Sequence, residues 1–404
     1  MLTVDALIIG GGPAGATAAL LLAKAGWSVA IVEKKTLPRK KVCGEFISAT
    51  SLPLLQKLGI ADYYLKSGGP NVKRVGLFAA NTVITSAMPL AKHGLGHFGL
   101  ALGREQLDSK LLNLAEQAGA IKIQPAQLEH VHRGEKFTLT ISHNEIKQIS
   151  TPLLIMAQGS WEKDSNLPQI PHQSSDLLAF KAHFTHSNLD IDLMPLLAFP
   201  GGYGGLAHSS NGLTTLSCCI RRDTLEVIRK RYPGLQAGEA VQQHISSTCL
   251  GVRQVLSGAK REGRWLSAGP IRPGIRKRYA NGIFYVGNIA GEAHPVVAEG
   301  ISMAMQSAGL MTEILLSNRN KSLDKIGKEY TRQWHKHFAN RIYVAAVIAQ
   351  FAMRPWLVNH LLPILKQFPS LLTLGAKLSG KVTQVVVPQA ISTKSIANEM
   401  ENTI

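Results

Sequence analysis

The chain has 404 residues, 45% of them hydrophobic, and carries 44 Lys and Arg against 26 Asp and Glu, a formal charge of +18. That apolar content excludes a polar unfolded chain, and the length supports two closely associated domains with a sizeable core. The absence of an uninterrupted apolar run of about twenty residues argues against a single spanning helix. Cys43, Cys218, Cys219 and Cys249 lack metal-ligand spacing, so no metal centre is expected. Their free thiols, and a first strand that begins almost at Met1 with no leader before it, fit a cytoplasmic protein.

The first element is expected at residues 6–9, an apolar run that reads as a buried parallel strand. It enters Gly10-Gly11-Gly12-Pro13-Ala14-Gly15 and then a helix over 16–25. Gly10 suits a tight turn, Gly12 lets a pyrophosphate approach the backbone, and Gly15 permits close packing of helix on strand. The free N-H groups of that helix start favour phosphate. A second strand at 28–32 ends in Glu33, whose carboxylate suits a ribose with both hydroxyls free. This unit therefore specifies a dinucleotide, FAD or NAD in preference to NADP, and leaves the first two open.

Residues 39–48, RKKVCGEFIS, lead into a helix over 49–58, and a second helix is expected over 103–120 with Arg104 at its start. A strand follows at 152–161 and ends near Gln158-Gly159. Residues 196–220 read as strand, glycine-rich crossing, turn at Asn211-Gly212 and strand, with Cys218 and Cys219 facing opposite sides. Residues 282–311 read as strand, glycine turn and long helix. Beyond Ser322 the pattern is helical, with Pro355, Pro363 and Pro369 expected to end helices, and residues 389–404 are polar and expected to fray. Basic residues cluster at 220–232, 259–264 and 272–279. They form a solvated face or attract an acidic carrier protein or an anionic membrane; with no nucleic-acid motif, nucleic acid ranks last.

In this order the segments resemble FAD oxidoreductases of the glutathione-reductase type, in the branch of geranylgeranyl reductases and flavin-dependent halogenases related to aromatic hydroxylases. The resemblance implies FAD, with NADH or NADPH as an external reductant. It implies an α/β fold: an FAD-binding Rossmann-like domain (1–72, 103–176 and 271–320), an inserted antiparallel-sheet substrate domain (73–102 and 177–270) and a helical C-terminal region (321–404). It places the cofactor on Gly10, Gly12, Pro13, Ala14, Gly15, Glu33, Lys34, Arg39, Lys41, Cys43, Gly44, Arg104, Gln158, Gly159, Gly287, Asn288, Gly300 and Ile301. The helix opening at Gly300 would aim its N-H groups at the flavin pyrimidine.

Departures from the family pattern shape the expected chemistry. Glu45 replaces a glycine of the reductases' K-x-C-G-G run, Asn288 stands for an aspartate, and Gln158 stands where the hydroxylases carry aspartate. Gly205 occupies the place of an aromatic residue in the reductases' PGGYGW signature, which would widen a substrate pocket lined by Tyr203, Gly205 and His208. Candidate catalytic groups are Glu45, Cys43, His294, Glu299 and Tyr203. Halogenation is disfavoured, because the tryptophan-rich halogenase segment is absent and Lys73 looks like an ordinary strand start.

The expected function is FAD-dependent oxygen insertion into an apolar or aromatic biosynthetic intermediate, free or tethered to an acidic carrier. The alternatives are reduction or dehydrogenation of a carbon-carbon bond and a non-catalytic flavin-bearing protein. Peripheral membrane contact through the C-terminal helices is a further expectation, beside their packing as a cap.

Overall fold

The computed structural model describes residues 1–92, 96–160, 171–381 and 387–389. The apolar run Ala6–Ile9 forms the centre of a six-stranded sheet, flanked by Leu153–Met156 on one side and Val29–Val32 on the other. All three strands are buried along their full length, as continuous apolar runs in a parallel sheet should be. Ile121–Ile123 and Ile283–Tyr285 extend the sheet in parallel, and Tyr279–Ala280 closes one edge antiparallel. The helix Pro13–Lys24 lies on this sheet between Arg104–Gln117 and Gly300–Ser317, and its alanines let all three approach closely.

A second sheet of seven strands carries Arg74–Ala79, Thr82–Ala87, Leu177–Thr185, Leu193–Phe199, Gly202–His208, Thr214–Arg221 and Lys260–Ile271. It was expected to be antiparallel, and one pairing corrects that: Arg74–Ala79 runs parallel to Leu193–Phe199. The two strands are joined by more than a hundred residues that pass through the other sheet, so no hairpin dictates their direction. Asn211 and Gly212 both take positive φ (65° and 70°), the geometry of a tight turn before Thr214–Arg221. Cys218 and Cys219 face opposite sides, one packed in each of two separate apolar clusters.

The sequence reading omitted a smaller sheet, built from Leu2–Thr3, Gln127–Arg133, Phe137–Ser142 and Gln148–Thr151. Its central strand alternates buried Phe137, Leu139 and Ile141 with partly exposed threonines, a period-two signal present in the sequence.

At the C-terminal end, one helix runs unbroken through Leu323–Ala352, then bends by 100° at Arg354-Pro355 into Pro355–Gln367. Pro355 ends the first helix as expected, but Pro363 does not end the second. It sits inside Pro355–Gln367 on an exposed face, where water can satisfy the carbonyl freed by its missing N-H. Ser370–Ala376 follows Pro369. No single helix among the described residues is long and apolar enough to cross a membrane. Residues 390–404 of the polar tail lie outside the described residues.

Candidate functional site

A cavity of about 790 Å³ begins at the glycine turn, passes between the two large sheets and reaches the C-terminal helices. Its walls change character along that path.

The first part is a cradle of backbone and charge. A Cβ on Gly15 would fall 1.8 Å from the Gly10 carbonyl, and one on Gly10 would fall 2.7 Å from Ala157 backbone. Gly10 also holds φ +108°, so both glycines are fixed by the turn itself. Gly12 is different, because the space beside it is open. The nearest groups to a Cβ there would be Arg104 Nη2 at 3.8 Å and Lys41 Nζ at 4.0 Å. Gly12 is also the N-cap of Pro13–Lys24 and supplies no side-chain acceptor to its first turn. Gly10, Gly12, Pro13 and Ala14 all line the cavity, whereas Gly15 lies behind them as a packing residue.

Glu33 is buried and accepts from Gly11 N-H (2.7 Å), Lys35 N-H (3.0 Å) and Arg39 Nη2 (3.3 Å). A carboxylate offers about four acceptor sites, which leaves capacity for a ligand hydroxyl. Lys34, Arg39, Lys41 and Arg104 line the same end. Burial, with Arg104 and Arg39 close by, pushes the Lys41 ammonium below its usual range. Arg104 makes a bidentate pair with the fully buried Asp108 at 2.8 and 2.7 Å, which fixes its guanidinium plane. Arg104 and Lys41 therefore converge on an uncapped helix start, and a diphosphate is the group that such a donor set suits.

The middle of the cavity carries Cys43, Gly44, Glu45, Gln158, Gly159, Gly287, Asn288, Gly300 and Ile301. Gln158 Oε1 is buried without a hydrogen-bond partner among the described residues, an acceptor that a bound ligand would satisfy. Glu45 is buried at φ +63°, a conformation costing a non-glycine residue roughly 1–2 kcal/mol. It is held there by a buried ion pair with Lys181, by Thr215 Oγ1 donating at 3.2 Å, and by Arg104 N-H at 3.3 Å. The glycine of the related pattern thus becomes a strained carboxylate that ties the Cys43 loop to the second sheet.

Two of these partners were missed by the sequence reading. Lys181 is a fully buried lysine in the middle of the strand LLAFKAHFT, and that interruption of an apolar strand was the available signal. Glu292 is the other. It lines the cavity and accepts from Ser160 Oγ (2.6 Å), Asn288 Nδ2 (2.9 Å) and Arg276 Nη2 (3.4 Å). Desolvation raises its pKa above the ordinary carboxylate value. A carboxylate therefore stands beside Asn288 although position 288 itself has none.

The remaining candidates divide. Tyr203 lines the cavity, and its Oη lies 3.1 Å from His294 Nδ1. Burial raises the Tyr203 pKa and lowers that of His294 to about 4, so both are neutral near pH 7. His294 is not itself in the cavity wall. Neither is Glu299, which pairs with Lys381 at 2.8 Å behind the start of the Gly300–Ser317 helix. His208, expected in the pocket, points elsewhere: its Nε2 meets the Leu189 carbonyl at 2.9 Å and its Nδ1 meets Thr214 Oγ1 at 3.2 Å. Strand alternation explains this: His208 shares the face of Leu206, which packs in the apolar cluster on the far side of the sheet, whereas Tyr203 packs on the cavity side.

The last part of the cavity is apolar. Leu77, Met194 and Leu196 come from the second sheet, and Phe351, Leu365 and Leu372 from the C-terminal helices. Gly205 lies on this wall with only the Pro195 carbonyl near a would-be Cβ, at 3.4 Å. Its neighbour Gly204 is packed against Ser217 and Cys218 at 2.7–2.8 Å. Gly204 thus serves sheet packing, and Gly205 leaves space.

Comparison with known proteins gives this geometry a family. Residues 3–339 match the model of the FAD binding domain. The chain belongs to that family of FAD-binding oxidoreductases. It is 23% identical over 381 residues to conditioned medium factor receptor 1 of Dictyostelium discoideum, covering 87% of this chain and 71% of that one. Digeranylgeranylglycerophospholipid reductase 1 of Methanococcoides burtonii is 25% identical, over 84% of this chain and 81% of the relative. The match to menaquinone reductase of Mycobacterium tuberculosis is also 25% identical, but spans 39% of this chain and 38% of that enzyme. Among solved structures, the flavin-dependent brominase Bmp2 superposes with a TM-score of 0.75 at 18% identity, covering 99% of both chains. That likeness concerns the fold.

The residues present fit FAD. The uncapped helix start, Arg104 and Lys41 would hold its diphosphate, Glu33 its adenosine ribose, and the Cys43–Glu45 loop with the Asn288 and Gly300 segments would flank its ring.

Proposed function

We propose that the protein is a monooxygenase that inserts one oxygen atom into a bulky, largely apolar substrate. The observation that carries this reading is the apolar arm of the cavity, enclosed by the second sheet and the C-terminal helices and continuous with the FAD cradle. FAD bound there supplies two-electron redox chemistry. The overall reaction balances as substrate C-H, O2, NADH or NADPH and one proton going to substrate C-OH, water and the oxidised nicotinamide.

The chain's own residues bind, orient and exclude water. Tyr203 and the neutral His294 offer a hydrogen-bonded pair at the boundary between the polar and apolar parts. Glu45 and Lys181 fix the loop against the sheet. The apolar walls shield the reacting carbon from bulk water. Gly205 makes room for the substrate, and the outward turn of His208 leaves no imidazole in the arm. Halogenation has less support. Lys34 and Lys41 lie at the diphosphate end, and Lys381, also on the wall, is engaged by Glu299 and the Val297 carbonyl.

The likeness to digeranylgeranylglycerophospholipid reductase over most of both chains favours a second reading, hydride addition to a carbon-carbon double bond. Product mass separates the two. Oxygenation adds one oxygen derived from labelled O2, and reduction adds two hydrogens without label. Gly205→Trp tests the cavity in either case: the indole would occupy the arm, and turnover should fall at least a hundredfold while flavin content and the flavin spectrum stay unchanged. Turnover at the wild-type rate would remove Gly205 from the substrate path.

A further inference from the structure

Large exposed apolar side chains are not spread evenly over the molecule. Of the eighteen among the described residues, ten fall between Tyr343 and Leu378, and the other eight are scattered along the preceding chain. Tyr343, Val347 and Phe351 repeat every four residues along the outer face of Leu323–Ala352. Beyond the 100° bend, Trp356, Ile364 and Phe368 continue the surface, with Trp356 61% and Phe368 53% exposed. A concentration of this kind is unusual on the free surface of a soluble protein.

Its charge has one sign. From Tyr330 to Asn398 the sequence contains no Asp or Glu. Arg354, Lys366 and Lys377 are exposed among the apolar residues. Arg341 and Lys381 are buried, and Lys381 is neutralised by Glu299. Aromatic and aliphatic side chains interleaved with exposed cations match the boundary between the headgroups and acyl chains of an anionic bilayer.

The cavity opens in this same patch. Phe351, Leu361 and Leu371 line its apolar arm and are also more than a third exposed, so they form its rim. We propose that the face formed by the helices Leu323–Ala352, Pro355–Gln367 and Ser370–Ala376 docks on an anionic lipid bilayer, and that the apolar substrate enters the cavity from that bilayer through the rim. The inner side of Leu323–Ala352 is packed in the protein, with Ile342, Ala345 and Ala349 buried, so this helix presents only one face to a bilayer and the attachment is interfacial. The route of substrate entrance rests on the apolar-substrate reading above; docking itself does not.

The test uses the intact flavoprotein with vesicles of phosphatidylcholine, alone or mixed with equal phosphatidylglycerol. Cosedimentation should be strong with the mixed vesicles, weaker with phosphatidylcholine alone, and reduced by salt. Tryptophan fluorescence should be quenched by lipids brominated on their acyl chains, and Trp356→Phe should remove most of that quenching. Arg354→Gln with Lys366→Gln should weaken binding to the mixed vesicles about 25-fold, since each cation near such a surface contributes about fivefold. Trp356→Ser with Phe368→Ser should abolish binding with flavin content unchanged. These four residues lie outside the wall of the cavity. If the serine variant loses flavin, the charge variant and the quenching measurement carry the test.

Absence of binding to the mixed vesicles would overturn docking, as would undiminished binding by the serine variant. A dimer in solution that Trp356→Ser dissociates would assign the face to a second copy of the chain instead. Vesicle binding without turnover of any apolar substrate would leave docking intact and sink the reading of the cavity.

Discussion

The two ends of the cavity are built by opposite means. At the cofactor end, the core of the cradle comes from one contiguous segment: residues 6–33 supply the strand, the glycine turn, the helix start and the acid, to which Lys41 and Arg104 add charge. At the substrate end, the wall is assembled from strands at 74–79, 193–199 and 202–208 and from helices beyond residue 345, brought together by the fold alone. The contrast follows from the ligand chemistry. Diphosphate needs backbone N-H groups in a fixed order, which a short segment can encode, whereas an apolar chamber needs only shape and is filled by whichever elements face it.

The sharpest way to break the comparison is at Gly10. If the cofactor end is a local device with no tolerance, Gly10→Ala should be among the most damaging small substitutions in the chain. The new Cβ meets Ala157 backbone at 2.7 Å, and φ +108° is hostile to any side chain. Expected outcomes are loss of flavin and destabilisation of more than about 3 kcal/mol, read by heat-released cofactor and thermal unfolding. A stable yellow variant would show that the turn has freedom the geometry denies it.

Arg104→Ala comes next. It removes a contact to the diphosphate and leaves Asp108, fully buried, without its bidentate partner. Breaking a buried pair of this kind costs about 3–5 kcal/mol. FAD affinity should also fall, by the roughly 1.5–3 kcal/mol of a charge-assisted bond. Asp108→Asn separates the two effects, since it spares the arginine. If it lowers stability while FAD affinity holds, the phosphate role belongs to Arg104; equal loss of affinity in both variants would make the pair a structural clamp.

The same contrast explains what could be read in advance. The strand, turn and helix at 6–24, the second strand, the Arg104 helix and the Asn211-Gly212 turn were legible because each is encoded within a few neighbouring residues. Lys181 and Glu292 were not, although each had a local oddity: a lysine inside an apolar strand, and a carboxylate after a glycine turn. Their meaning depends on partners at Glu45, Asn288 and Ser160, up to 136 residues away in the Lys181–Glu45 pair. His208 was misplaced for a related reason. Its motif lies on the right strand, but alternation turns it to the far face. Pro363 was read as a helix end by composition, and an exposed position lets the helix continue through it.

A smaller effect should appear where the two ends meet. Burial lowers the His294 pKa to about 4 from an unfolded value near 6.5. Between those values the unfolded chain takes up a proton that the native protein refuses. Stability should therefore be fully present above pH 6.5, decline as pH falls toward 4, and lose nothing further from this group below it. The contribution over that window is about 3 kcal/mol at most. His294→Gln should flatten the wild-type slope of unfolding free energy across it, measured by urea titration at a series of pH values. An unchanged slope would mean that His294 is open to water, and that the Tyr203 pair does not stand at a dry boundary.

The smallest effect is expected at the other basic surface. Arg229, Lys230 and Arg231 are exposed in the last turn of the helix Arg222–Arg231, where cations favour the negative end of the helix dipole. They stand on a polar face, with Val227 the only large exposed apolar side chain within that helix. Changing all three to Gln should cost about 1 kcal/mol of stability, relieved by salt, with flavin content unaltered. Cosedimentation with anionic vesicles should hardly change, because cations without interleaved apolar groups supply attraction but no insertion. If this triple variant weakened vesicle binding as much as Arg354→Gln with Lys366→Gln, long-range charge would account for attachment. The apolar rim of the cavity would then have no special claim to the membrane.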